Sequence, residues 1–127
     1  ESQEWKVFLN RLDLDPPQIF RLGWGADFPD PDNFMNLFIK TSGNNRLRWK
    51  NSQYDQLVAI GSTLKNSQDR RKIYDEAQIL LTETEVPMIP LFFSAQNLLV
   101  KPYVRGLKTN AMELLYLKRI GIERVVH

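Results

Sequence analysis

Three carboxylates and an amide crowd one short loop: Asp27, Asp30, Asp32 and Asn33 in Asp-Phe-Pro-Asp-Pro-Asp-Asn, directly after Leu22-Gly23-Trp24-Gly25-Ala26. Side chains of these types can hold a metal ion, move protons, grip a cation, or build a turn. An EF-hand calcium loop requires alternating oxygen ligands, a glycine at the sharp turn and a bidentate Glu at position 12. Counted from Asp27, proline stands third at Pro29, Asp32 takes the glycine's place and Phe38 the glutamate's, so that loop is rejected. A glycosidase-like pair needs two acids about 5 to 9 Å apart across a cleft, one of them raised in pKa by burial. Asp27 with Asp30 or Asp32 could be that far apart, but nothing supplies a nucleophile or an oxyanion hole, and alternating Pro and Asp is the composition of a solvated turn.

Cation gripping remains. Glycines flank Trp24, and glycine in an extended segment marks close approach by another backbone. Such an edge can accept an extended peptide through main-chain hydrogen bonds. Asp27 is placed to meet an ammonium group and Arg21 a carboxylate, so one segment carries receptors for both charges of a zwitterion. The competing reading of Trp24 is a core residue of an apolar strand.

Composition removes other classes. The chain of 127 residues has no cysteine, which excludes disulfides, thiol nucleophiles and Cys-ligated metal. Its single histidine, His127, is the last residue and reads as a solvated tail, so a histidine triad or a multi-His zinc site cannot form within the chain. At 43% hydrophobic and 25% charged it is an ordinary globular composition, without the roughly 20-residue apolar run of a membrane helix. The net charge of +2 is too small to argue for nucleic acid. The basic run Arg46–Lys50 holds a single aromatic, Trp49, where single-strand binders need several, and reads as a loop with an anchoring tryptophan.

The elements that must position the loop follow from periodicity and breakers. Trp5, Phe8, Leu9 and Leu12 share one helical face, and Pro16 and Pro17 end that helix. Ile19–Trp24 is short and apolar, as in a buried strand. Asp32 or Asn33 is expected to cap a short helix carrying Phe34, Leu37 and Phe38. Ser52 with Asp55 resembles a capping box, opening a helix with Tyr54, Leu57, Val58 and Leu64. Asn66 or Ser67 caps the clearest helix, whose Ile73, Tyr74, Ala77, Leu80 and Leu81 face a core. Val86–Phe93, with two prolines, reads as a strand near a sheet edge, and the segments Asn97–Leu107 and Glu113–Val126 as further extended stretches. The resulting succession of helices and extended segments, without repeats, is of the α/β class. With neither an initiator Met nor a leader, the chain reads as a piece of something longer.

Four motifs taken in order, GWGADFPDPDNF, NNRLRWKNSQYDQL, RRKIYDEAQILLTETEVPMIPLFF and LVKPYVRGL, resemble the C-terminal part of ABC-transporter oligopeptide- and dipeptide-binding proteins, solute-binding family 5. The resemblance runs from about Glu4 to the end. It implies a type II periplasmic-binding-protein fold, in which two lobes close over a short peptide and deliver it to a membrane permease, in the periplasm or on the outer face of the cytoplasmic membrane. It implies no enzyme activity, no cofactor, no metal, no nucleic acid and no membrane span. By the same resemblance Asp27 holds the peptide's α-ammonium, Gly23, Trp24 and Gly25 form the strand that pairs with its backbone, and Arg21 lies within reach of its carboxylate. Relatives that bind metal complexes or other non-peptide solutes lack the acidic pattern kept here; such a solute, or a carboxylate-dependent hydrolase, is the alternative function.

On this reading residues 1–94 are part of the second, C-terminal lobe, and residues 95–127 are a return segment that packs on the first lobe, with the interlobe connection near Phe93–Asn97. The return segment is apolar at Leu98, Leu99, Val100, Leu114, Leu115, Leu117, Ile120 and Ile122. Without the first lobe it is expected to fold back, pair with a second copy, or lose order, because exposed apolar surface is unfavourable by about 25 cal/mol per Å².

Overall fold

The computed structural model describes residues 3–110 and 112–123. His127, Val125 and Val126 lie outside the described residues. Helix α1 spans Trp5–Leu14, α2 Asp32–Met35, α3 Ser52–Thr63 and α4 Ser67–Ile79; α4 runs on into a π-helical turn at Leu80–Thr84. Two short strands, β1 (Val104–Arg105) and β2 (Gly121–Ile122), pair antiparallel with Val104 opposite Ile122.

The core lies where α3 and α4 pack together. Tyr54, Leu57 and Val58 from α3 meet Ala77 of α4 and Leu81 of the π turn, all buried, as the 3.6-residue periodicity requires. Around them pack Met35, Phe38, Ile39, Trp49, Ile73, Leu80 and Met88. Each fully buried Leu or Val contributes about 1.5–3 kcal/mol. The Tyr54 ring lies edge-on to Trp49, centroids 4.9 Å apart, and its hydroxyl donates to the Met35 carbonyl at 2.8 Å. That bond satisfies the phenol in the interior, and burial pushes its pKa far above the ordinary tyrosine value.

The loop between α2 and α3 is closed by one amide. Asn45 Nδ2 donates to the carbonyls of Phe38 (3.1 Å), Ile39 (3.2 Å) and Trp49 (2.8 Å). The basic run is occupied locally: Arg46 pairs with Asp13 at 3.2 Å, and Arg48, in a left-handed conformation (φ 54°), donates to the Asp13 carbonyl at 2.8 Å. Both cations thereby hold the loop against the C-terminal end of α1.

Several local expectations are corrected. Asn51, not Ser52, caps α3, its Oδ1 accepting from the Tyr54 N–H at 3.0 Å. Asp55 instead accepts from the Lys40 N–H at 3.1 Å. Asn66 does cap α4, accepting from Gln68 and Asp69 at 2.9 and 3.1 Å. At α2 the cap position is Pro31, with no side-chain cap from Asp32 or Asn33.

Ile19–Trp24 is not a buried strand. Ile19 is 91% exposed and Trp24 40%, and among the described residues the backbone of 19–26 makes no main-chain hydrogen bond. Val86–Phe93 is likewise unpaired, with Phe93 fully exposed. An apolar extended segment becomes a strand only when another supplies the ladder, and the described residues supply none for these two. Beyond them the two extended stretches join only through the short β1–β2 pair, extended by a bond from the Glu123 N–H to the Tyr103 carbonyl at 2.9 Å. The apolar side chains Leu98, Leu99, Leu114, Leu115, Leu117 and Ile122 stay exposed.

Candidate functional site

The acidic loop splits into a locked half and an open half. Asp30 is locked: Arg70 of α4 grips it with two parallel bonds, Nη1 to Oδ2 and Nη2 to Oδ1, each 2.6 Å. This bidentate geometry is the strong form of an ion pair, and both side chains are partly shielded from solvent. The Arg70 hydrogen bonds hold the Asp30 carboxyl below the usual carboxylate range, and Asp30 in turn raises the arginine. Asp30 Oδ1 also accepts from the Asp32 N–H at 2.8 Å, which shapes the turn into α2.

Arg70 is itself held in place. Its Nε donates to the Gly61 carbonyl of α3 at 2.9 Å, and its Nη2 to the Tyr74 hydroxyl at 3.2 Å. The Tyr74 hydroxyl in turn donates to Asp32 Oδ1 at 2.6 Å. Burial, then this bond to a carboxylate, pushes the Tyr74 pKa up to about 12. Asp32 is completed by the Asn36 amide, which donates to its Oδ2 and to its carbonyl. Two of the three carboxylates are thus fully engaged in tying the loop to α3 and α4.

Asn33 organises the other half. It is buried, and its Oδ1 accepts two bonds: from the Trp24 indole N–H at 2.8 Å and from the Asp27 backbone N–H at 3.2 Å. The Trp24 ring remains 40% exposed, so it is neither a core residue nor loose. Asp27 is exposed, and its carboxylate has no hydrogen bond or ion pair among the described residues. A Cβ built on Gly23 or Gly25 meets nothing within 4 Å, so the main chain is accessible on both sides of Trp24.

Arg21 sits apart from this cluster, its guanidinium 5.2 Å from the centroid of the Phe92 ring. Stacking on a ring face leaves the N–H edge of a guanidinium able to bind an anion. The described residues contain no cluster of acids and histidines suited to a metal ion. A shallow concavity lined by Leu98, Val100, Val104 and Arg105 lies in the tail, and no acid of the loop borders it.

The arrangement sets one open carboxylate, an accessible backbone edge and a fixed aromatic face side by side. No protein-family profile matches the chain. Sequence comparison with characterised proteins does give matches. The chain is 32% identical over 123 residues to the periplasmic oligopeptide-binding protein OppA of Salmonella typhimurium, covering 96% of this chain. The chain resembles a segment of the oligopeptide-binding proteins. It is also 28% identical over 123 residues to an Escherichia coli protein named "Probable deoxycholate-binding periplasmic protein YgiS", again over 96% of the chain. It spans 22% of the length of that OppA and 23% of YgiS. Among solved structures, the murein tripeptide-binding protein MppA in its unliganded open form superposes with a TM-score of 0.77 at 26% identity. That match covers 96% of this chain and 24% of MppA. The fold is therefore a segment of the type II periplasmic-binding-protein fold. These oligopeptide-binding relatives are solute binders, not enzymes, by name.

Sequence reasoning brought Asp27, Trp24, Gly23 and Gly25 onto one stretch, and the structure keeps them there while setting Arg21 against Phe92. It missed Arg70 and Tyr74, which carry the locked half, and read Asn33 as a helix cap. No local signal links Asp30 to an arginine 40 residues away.

Proposed function

We propose that this chain forms part of the ligand-binding surface of an extracytoplasmic solute-binding protein that captures short peptides for an ABC-type importer and hands them to its permease. The observation that carries the proposal is the division of the acidic loop: Asp30 and Asp32 are engaged internally, whereas the Asp27 carboxylate is exposed beside an accessible extended backbone. Asp27 receives the peptide's α-ammonium, the main chain of Gly23–Gly25 pairs with the peptide backbone, Trp24 supplies an apolar wall, and Arg21 meets the carboxylate of a short peptide. No reacting group is required, so the role is binding and not catalysis.

Residues 1–94 would then belong to the second lobe and residues 95–127 to the return segment that packs on the first. The exposed apolar side chains of that segment support this assignment, since surface of this kind is stable only when covered. In isolation the chain is expected to associate through this segment, and sedimentation across a concentration series checks it. A monomer at all concentrations speaks against it.

The test is calorimetry on the longer protein in which we place this chain. Tri- to pentapeptides should bind, and their N-acetylated forms should bind at least about 30-fold more weakly, as expected when one member of a desolvated charge pair is lost. Asp27→Asn should produce the same loss. Equal affinity for free and acetylated peptides would remove the ammonium role. The resemblance to YgiS supports one second reading, a steroid-acid or other non-peptide solute on the same fold. Binding of deoxycholate, indifferent to Asp27→Asn and unaccompanied by peptide binding, would favour it.

A further inference from the structure

The open half of the loop is built on one buried atom. Asn33 Oδ1 accepts from the Trp24 indole N–H and from the Asp27 backbone N–H, at 2.8 and 3.2 Å. Both donors belong to the stretch proposed to meet ligand, and both are N–H groups, so the acceptor must be the amide oxygen and not its nitrogen. The Asn33 backbone N–H donates to the Asp30 carbonyl at 3.1 Å, and Asp30 is clamped by Arg70, which is bonded to the Gly61 carbonyl on α3. A continuous path of hydrogen bonds therefore runs from the α3–α4 core through Asn33 to the indole and to Asp27.

We infer that Asn33 is a positioning residue that fixes the Trp24 ring and the Asp27 carboxylate as one unit, setting the distance between an apolar wall and an anionic receptor. This rests on the reading of Asp27 as the ammonium receptor. Without the shared acceptor, the segment 19–26, which makes no main-chain hydrogen bond among the described residues, has little else to fix its geometry. The expected signature of such a residue is loss of discrimination for the free ammonium rather than a uniform loss of binding. Recognition of a charged group depends on placement more steeply than contact with an apolar wall does.

Two measurements test the inference separately. The first uses this chain without ligand: hydrogen exchange of the tryptophan indole protons by NMR. The Trp24 proton should exchange at least about tenfold more slowly than that of Trp5. Trp5 is 58% exposed and its indole has no acceptor among the described residues. Equal rates overturn the geometry. The second uses the longer peptide-binding protein. Asn33→Leu should reduce the affinity ratio of free to N-acetylated peptide by about tenfold, while Asn33→Asp, which keeps the acceptor, should retain most of it. Loss of the ratio in both variants, or in neither, overturns the positioning role. A wild-type protein indifferent to acetylation refutes the ammonium reading and the specificity role with it; the exchange measurement still judges the bond geometry by itself. Should Asn33→Leu fail to fold, Trp24→Phe removes the indole donor alone, and an unchanged ratio there overturns the coupling.

Discussion

The α3–α4 unit and the more apolar extended stretches on either side of it meet opposite fates. In the helical unit every large apolar side chain on the inner face finds a partner within the chain, and Tyr54, Val58 and Leu81 are at most 4% exposed. In the extended stretches Ile19, Phe93 and Leu99 are at least 91% exposed. A helix closes its own backbone hydrogen bonds and needs only one neighbour to cover its apolar stripe, whereas a strand needs a ladder partner as well as a cover. The contrast separates the part of this chain that covers its own apolar surface from the parts that leave theirs open among the described residues.

The most direct way to break the contrast is to cut the same side chain in both regions. Leu81→Ala should cost about 2–5 kcal/mol, through lost transfer energy and a cavity, whereas Leu99→Ala should change stability by less than about 0.5 kcal/mol. Urea denaturation followed by circular dichroism reads both. A comparable loss at Leu99 would show that the tail is packed after all.

Glycines give a second pairing. At Gly61, in α3, an added Cβ would meet the Tyr74 ring at 2.6 Å, so Gly61→Ala should cost about 1–2 kcal/mol once its helix-propensity gain is deducted. It should also disturb the hydroxyl that Tyr74 offers to Asp32. At Gly25 the same methyl meets nothing, and Gly25→Ala should leave stability within about 0.5 kcal/mol. In the longer protein in which we place this chain, however, it should weaken peptide binding if, as proposed, a ligand backbone approaches there.

What the sequence revealed divides along the same line. The inner face of α4 and its Asn66 cap were legible because both signals are local: a 3.6-residue period and a side chain that bonds to the next turn. The division of the three acids was legible only in part. That Asp27 differs from its neighbours could be argued from the adjoining glycines, but the reason Asp30 and Asp32 are closed lies in Arg70 and Tyr74, 40 and 42 residues away. Asn33 was misread because a capping rule looks at the following turn, while its oxygen is taken by residues that precede it. The strands at 19–24 and 86–93 were read from composition that is correct for strands, but a ladder is a property of two segments, and the described residues supply no partner for either.

Removing the clamp should blur the boundary between the locked and open halves. Arg70→Met leaves Asp30 without its bidentate partner and should cost about 1–2 kcal/mol, and Arg70→Lys should restore little because a point charge cannot make two parallel bonds. The pH dependence carries the same signature. Asp30 has a folded pKa below its unfolded value, so its contribution is fully present above about pH 4 and is lost as pH falls through the folded value. Tyr74 is shifted the other way: its contribution is complete below the unfolded value near 10 and is lost as pH rises through about 12. Arg70→Met should flatten the acid limb of the stability profile, and Tyr74→Phe the alkaline limb.

The smallest expected effect separates Asp27 from its neighbours. An exposed carboxylate without a partner among the described residues contributes almost nothing to folding, so Asp27→Asn should move the stability of this chain by less than about 0.5 kcal/mol. Asp30→Asn, which removes a charge from the Arg70 clamp, should cost clearly more under identical conditions. A carboxylate that is dispensable for the fold and required for binding is available to a ligand. One whose removal destabilises the chain as much as Asp30→Asn would be a third structural acid, and the open half of the loop would have no charge left to offer.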